Sequence, residues 1–217
     1  MSRVLGGVGG RSPPEGNAAS VCYARPMADA ARRRASYAEY LAIEESSETK
    51  HEYLAGQIVA MAGGTIEHGR LVSRLTVLLS RALEGRPCAV LPADVRVRIR
   101  AADRSTYPDL HVVCGQVERD PDDEHAVVNP VVVVDVLSDS TAESDRGDQF
   151  ADYRRLSSLR EYVLVSQRER RVDVFHRDGR RWVLDEHRRG EQVGLESLDV
   201  ALPVEEIYVD GLGPIVA

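Results

Sequence analysis

The chain has 217 residues, 43% of them hydrophobic and 29% charged, with a formal net charge of −7. Such a length and composition describe one globular domain with a real core plus a tail, and no run approaches the ~18 apolar residues of a membrane span. An acidic protein does not coat nucleic acid through its overall charge, so any contact with a polyanion has to come from a local basic patch.

Residue usage narrows the options further. Lys50 is the sole lysine among 28 basic residues, so a site whose chemistry needs a lysine has almost none to draw on. The opening MSRVLGGVGGRSPPEG lacks the continuous apolar stretch of a secretory signal. Three cysteines without CxxC spacing are expected to be reduced thiols in a cytoplasmic protein, with Cys88 and Cys114 as core residues of apolar strands. The six histidines show no zinc-ligand spacing.

Residues 1–30, rich in Gly, Pro, Ala and Ser, read as a disordered tail ahead of a domain over 31–217. Ser36 with Glu39 three positions on is a capping box that opens a short helix to about Glu45. A turn and the short strand GQIVAM follow. From about Ile66 to Glu84, Leu71, Val72, Leu75, Leu78, Leu79 and Ala82 form one apolar stripe, predicting a long helix that Gly85 ends and Pro87 blocks. Three strands come next. In DVRVRIR, Val95, Val97 and Ile99 alternate with Arg96, Arg98 and Arg100, which predicts one buried face and one basic face. Gln116–Asn129 reads as a polar loop, and VVVVDVLS as a central strand buried on both faces. A helix from about Ser144 to Leu156, the strand EYVLVS, hairpin-like segments and short closing strands complete an α/β domain with a mixed sheet.

Asp135 interrupts the valine-rich strand, and burying an unpaired carboxylate costs several kcal/mol. It therefore sits at a strand end, pairs with a cation, binds a metal or merely positions the turn SDST. Asp109, after Tyr107 and Pro108, starts its own strand; alone it also fits a turn residue. Two carboxylates converging from neighbouring strand ends supply hard oxygen ligands suited to Mg²⁺ or Mn²⁺. Arg96, Arg98 and Arg100, with Arg70 and Arg74, read either as a phosphate-tracking stripe or as a solvated face.

Taken in order, KHEYLAGQIVAMAGGTIEHGRL, LPADVRVRI, YPDLHVVCG, NPVVVVDVLSDST, DRGDQFADYRRLSSLREYVLVS and LPVEEIY make the chain resemble the Uma-type family of restriction-endonuclease-like proteins, within the PD-(D/E)xK nuclease superfamily. The resemblance spans about Ser36 to Tyr208. It implies a restriction-endonuclease-like mixed β-sheet flanked by helices, with additional C-terminal strands, and a metal-dependent endonuclease acting on nucleic acid, DNA first, with a homodimer as one arrangement. By the same resemblance Asp109 matches the motif aspartate, and Asp135 stands where the family has glutamate. Glu52 and His68 match secondary site residues, although a solvated turn acid and a helix cap fit them equally. The family's lysine, carried on the helix after Asp135, is here Gln149, and Arg146 shares its helix face. The lost lysine leaves an alternative open: a catalytically impaired relative that binds nucleic acid or a protein partner. A third reading, a small-molecule hydrolase using His68 as base, lacks any nucleophile elbow or GxSxG pattern.

Overall fold

The computed structural model describes residues 34–137, 145–210 and 213–215, and Arg34–Ala217 group as one compact unit. The expected tail over 1–30, the SDST turn and the helix start at Ser144 lie outside the described residues.

Helix α1 (Tyr37–Ser46) opens on the expected capping box: the Ser36 hydroxyl accepts from Glu39 N–H, and the Glu39 carboxylate accepts from Ser36 N–H. The segment after it, expected as a turn, already pairs. β1 (His51–Leu54) and β2 (Gln57–Ala60) form an antiparallel hairpin closed by Ala55 and Gly56, both at positive φ. A two-residue turn with that backbone matches the twist of its strands. Helix α2 (Ile66–Ala82) begins at Thr65, whose side chain accepts from His68 N–H, and buries Leu71, Leu75, Leu78 and Leu79 on its apolar stripe. The cap is therefore Thr65 rather than His68.

Next come β3 (Cys88–Pro92), β4 (Arg96–Ile99), β5 (Arg104–Thr106) and β6 (Leu110–Cys114). The segment expected as a loop holds β7 (Arg119–Asp120) and β8 (Asp123–Val127), the latter pairing parallel to β4. β7 has only two residues, and β8 opens on the polar run Asp-Glu-His, so neither shows an apolar alternation. β9 (Val132–Leu137) connects through a π-turn at Asp145–Gln149 and helix α3 (Phe150–Tyr153) to β10 (Glu161–Ser166), its parallel neighbour. The hairpin β11 (Arg171–Asp178) and β12 (Arg181–Arg188) follows, then β13 (Gln192–Leu195), β14 (Val200–Pro203), α4 (Val204–Ile207), β15 (Val209–Asp210) and β16 (Gly213–Pro214).

Where one mixed sheet was expected, the strands form two six-stranded sheets, in the orders β2-β1-β5-β4-β8-β7 and β12-β11-β10-β9-β6-β3, each combining parallel and antiparallel neighbours. The second sheet is covered on both faces. On one side, α2 and the C-terminal elements bury Leu110, Val112, Val132, Val134 and Val163. On the other, Phe150, Tyr153, Leu156 and the first sheet's Val97 and Ile99 enclose Val133, Leu137 and Tyr162. Residues alternate along a strand, so Val133, Asp135 and Leu137 share this second face. Cys88 and Cys114, expected as separate reduced thiols, stand directly opposite in the β3–β6 register and are joined by a disulfide. No described helix is long and apolar enough to cross a membrane.

Candidate active site

The β6–β9 register sets Leu110 against Val134, so one step further Asp109 comes opposite Asp135. Here the two side chains replace the backbone ladder. Asp109 N–H donates to Asp135 Oδ1 at 3.2 Å, and Val136 N–H donates to Asp109 Oδ2 at 2.7 Å. Each carboxylate thus satisfies a backbone donor at the end of the other strand, which holds the pair in register. Asp135 is 6% exposed, and burial at that level demands partners. Its Oδ2 accepts from Tyr162 Oη at 2.8 Å and from Gln149 Nε2 at 3.0 Å. Asp109 Oδ2 also contacts His68 Nε2 at 3.1 Å, while its Oδ1 accepts no hydrogen bond among the described residues.

Gln149 ends the π-turn and is buried. Its amide orientation follows from its neighbours. The Asp135 carboxylate needs a donor, and the Arg104 guanidinium, which only donates, reaches Gln149 Oε1 at 2.8 Å. Arg104 lies on β5, 5% exposed, with Glu52 Oε2 at 3.6 Å and Asp152 Oδ2 at 3.4 Å. Glu52, on β1, accepts from the Thr106 hydroxyl. These groups open onto a cavity of about 360 Å³ lined by Glu52, His68, Tyr107, Asp109, Asp135 and Gln149 together with the β2–α2 connection. That connection ends at Gly64, where a Cβ would meet His68 Nδ1 at 3.0 Å, so glycine lets the ring lie close.

Electrostatics follow from these contacts. The hydrogen bond to Asp109 raises the His68 pKa against the opposing effect of burial, favouring a proton on the ring. Burial, and then the Asp135 charge, keep the Tyr153 phenol protonated. His111, on the same face of β6 as Asp109, is fully buried, and burial lowers its pKa to about 4, so it stays neutral.

Asp109, Asp135, Gln149, Glu52 and His68 are therefore brought to one pocket. Arg96 and Arg98 are not, and here the structure corrects the expected free basic face. Both are buried: Arg96 pairs with Asp123 at 2.7 Å and donates to Tyr107 at 2.9 Å, and Arg98 pairs with Asp103 at 2.8 Å. Alternation assigns the arginines to solvent, but α1 covers that face with Tyr37 and Glu44, and acids come from the neighbouring β8 (Asp123) and the turn before β5 (Asp103). Arg100 pairs with Asp120 and Asp122, Arg70 with Asp210, and Arg74 donates to the Glu206 carbonyl. The side chain of Arg146 lies outside the described residues.

Two contributors escaped the sequence. Arg104 meets Gln149 across 45 positions, and no local pattern announces a contact that distant. Tyr162 left a faint signal, as the one hydroxyl-bearing aromatic in the strand EYVLVS.

The chain is similar to known proteins in sequence and in fold. Residues 37–205 match the Uma2 family, described as "Putative restriction endonuclease". Two Synechocystis proteins, each named as uncharacterized, are similar in sequence. The protein slr1290 is 34% identical over 171 residues, covering 78% of this chain and 89% of that protein. The protein sll1609 is 34% identical over 150 residues, covering 69% and 85%. The crystal structure of "a putative nuclease belonging to DUF820" from Anabaena variabilis matches with a TM-score of 0.62 at 15% identity, over 74% of this chain and 90% of that one.

Proposed function

This chain belongs to the Uma2 family and has a restriction-endonuclease-like fold, and from that premise we propose that it is a metal-dependent nuclease hydrolysing phosphodiester bonds, DNA being the first substrate to test. The observation that carries the reading is the meeting of the Asp109 and Asp135 carboxylates at adjacent strand ends inside one pocket.

The donor set fits Mg²⁺ or Mn²⁺. No group of three or more His, Cys, Asp or Glu residues in metal-holding geometry occurs among the described residues. Mg²⁺ is nonetheless commonly held by one or two carboxylates, with waters and substrate phosphate completing its shell. Asp109, whose Oδ1 accepts no hydrogen bond among the described residues, and Asp135 are the residues that would hold it. When bound, such an ion polarises a phosphodiester and lowers the pKa of a bound water.

The chain's own residues do the rest. Tyr162 and Gln149 orient Asp135; Val136 N–H and His68 orient Asp109. Arg104 holds the Gln149 amide with its donor end toward Asp135, which makes Arg104 a positioning residue. Glu52, turned by Thr106, places a third carboxylate on the pocket wall, and the hydrogen bond to Asp109 favours a proton on the His68 ring. Gln149 itself carries no charge to set against a developing phosphorane. That absence favours the second reading, an impaired relative that binds rather than cleaves.

Calorimetric titration with Mg²⁺ and Mn²⁺, together with cleavage of supercoiled plasmid, separates the two. Wild type should bind metal and Asp109→Ala should not; cleavage above the Asp109→Ala background supports the enzyme. Metal binding without cleavage of any DNA or RNA supports the binding module, and no difference in metal binding between the two proteins overturns the metal site. Substituting Gln149→Lys alone would set an ammonium beside Arg104 and remove the shorter of that guanidinium's two hydrogen bonds. The gain in cleavage should therefore be larger in Gln149→Lys with Arg104→Met.

A further inference from the structure

The π-turn delivers Gln149 to Asp135, and the next residue, Phe150, opens α3 and faces a different surface. Between α3 and the β11–β12 hairpin lies a groove of about 830 Å³, lined by Phe150, Arg154, Arg177, Arg180, Arg181 and Trp182 among others. Its floor is aromatic. Phe150 packs edge-on against Trp182, with ring centroids 5.3 Å apart, and lies 4.2 Å from Phe175. Its walls are cationic. The Arg154 guanidinium lies 5.4 Å from the Phe150 ring centroid, and that of Arg177 lies 4.8 Å from the Trp182 centroid.

These guanidinium groups are not neutralised locally. Arg154, Arg180 and Arg181 are exposed and make no ion pair among the described residues. Among the described residues, Arg177 donates only to the backbone carbonyls of Arg154 and Leu156. Even Asp178, opposite Arg181 in the hairpin register, forms no ion pair with it. Burial, and then the neighbouring Arg160, lower the Arg177 pKa, as expected where positive charge goes uncompensated. In a protein of net charge −7, such a concentration marks a surface built for an anion. Arginine over aromatic rings is also the combination by which strand-binding grooves hold phosphates and stack bases.

We propose that this groove binds the sugar-phosphate backbone of a nucleic-acid strand and leads it toward the Asp109–Asp135 pocket, the choice of strand resting on the nuclease reading. The pocket and the groove meet at consecutive residues: Gln149, which ends the π-turn, lines the first, and Phe150, which opens α3, lines the second.

Trp182 is the only tryptophan in the chain, so its fluorescence reports occupancy of the groove itself. The test titrates the full-length protein in EDTA with fluorescein-labelled DNA single strand, the same DNA as duplex, an RNA strand, and vesicles containing anionic lipid. Label anisotropy and Trp182 emission are followed across a salt series. At least one nucleic acid should bind with a change in Trp182 emission. Arg154→Ser/Arg180→Ser/Arg181→Ser should weaken it about tenfold or more and reduce the slope of log K against log salt by about 2, since each lost phosphate contact on a single strand removes about 0.7. The matching triple lysine variant should restore most of the affinity, and its rescue separates lost charge from lost fold. Arg81→Ser/Arg119→Ser/Arg189→Ser, which removes exposed arginines elsewhere, should change little.

Equal loss in both serine triples, unchanged affinity in the groove triple, binding without a Trp182 response, or groove-dependent binding of vesicles alone would each overturn the proposal. Failure of the nuclease reading looks different: strand binding persists in wild type and in Asp109→Ala, and neither cleaves when Mg²⁺ is added.

Discussion

Arg96 and Arg98 of the first sheet lie 2.7–2.8 Å from the carboxylates of Asp123 and Asp103, whereas Arg154, Arg180 and Arg181 beside the second sheet have no ion-pair partner among the described residues. The first pair is buried, and a buried guanidinium must be matched because its desolvation costs several kcal/mol. Arg96 shows what matching entails: a bidentate contact to Asp123, a hydrogen bond to Tyr107, and Glu44 at 3.8 Å. The exposed set stays hydrated and carries no such requirement, so its charge remains available to an incoming anion. An arginine-rich strand is therefore not by itself a basic surface; acids covering it can turn it into internal structure. Arg104 is intermediate, buried like the first set yet turned toward the candidate active site through Gln149.

The largest effect that would break this comparison is on stability. Asp123→Ala leaves the Arg96 guanidinium buried without its main partner, and loss of one partner from a buried pair costs about 3–5 kcal/mol. Urea unfolding should show that drop; a loss within experimental error would mean that Arg96 finds water, and that the two sets do not differ as described.

A smaller effect is expected on chemistry. Arg104→Met frees the Gln149 amide to rotate away from Asp135. By the rule for groups that orient metal ligands, metal affinity or cleavage should fall about 10–100-fold. Arg104→Lys should recover part of it, and a purely structural role for Arg104 would instead lower the melting temperature without moving metal affinity.

The Asp123 carboxyl tests the matched set through pH. Burial alone would raise its pKa, but hydrogen bonds from Arg96 and Tyr37 hold it below the ordinary 3.8. A depressed folded value means that the pair's stabilisation is present above that ordinary value and is lost as pH falls through the lower folded one. Wild type should therefore lose stability on acidification in that window, and Asp123→Asn should flatten that part of the curve. Identical acid limbs would remove Asp123 as the titrating group.

The smallest expected change is in the unmatched set. Arg154→Ser, Arg180→Ser and Arg181→Ser should each alter unfolding free energy by no more than about 0.5 kcal/mol, as is usual for exposed positions. A cost near that of Asp123→Ala would show that these arginines have partners within the fold.

What the sequence determined by itself was whatever depends on near neighbours. The capping box at Ser36 and the stripe from Leu71 to Ala82 are written within one or two helical turns. The valine run around Asp135 signals a central strand and an acid that needs a reason to be there. The quoted motifs placed Asp109, Asp135, Glu52, His68 and Gln149 together as candidates, and all five line one pocket. Only the tertiary structure decided the rest, because the deciding contacts join distant segments. β7 carries only two residues and β8 opens on a polar run, so neither shows an apolar period, yet β8 supplies Asp123 to Arg96 across 27 positions. Cys88 meets Cys114 because the β3–β6 register places them opposite each other, which spacing in the chain does not state. Arg104 was unremarkable in RSTYPD until β5 and the π-turn brought it to Gln149. Alternation tells which face of a strand a side chain takes; what covers that face, and therefore whether a charge is matched or available, is set by the packing of the sheets.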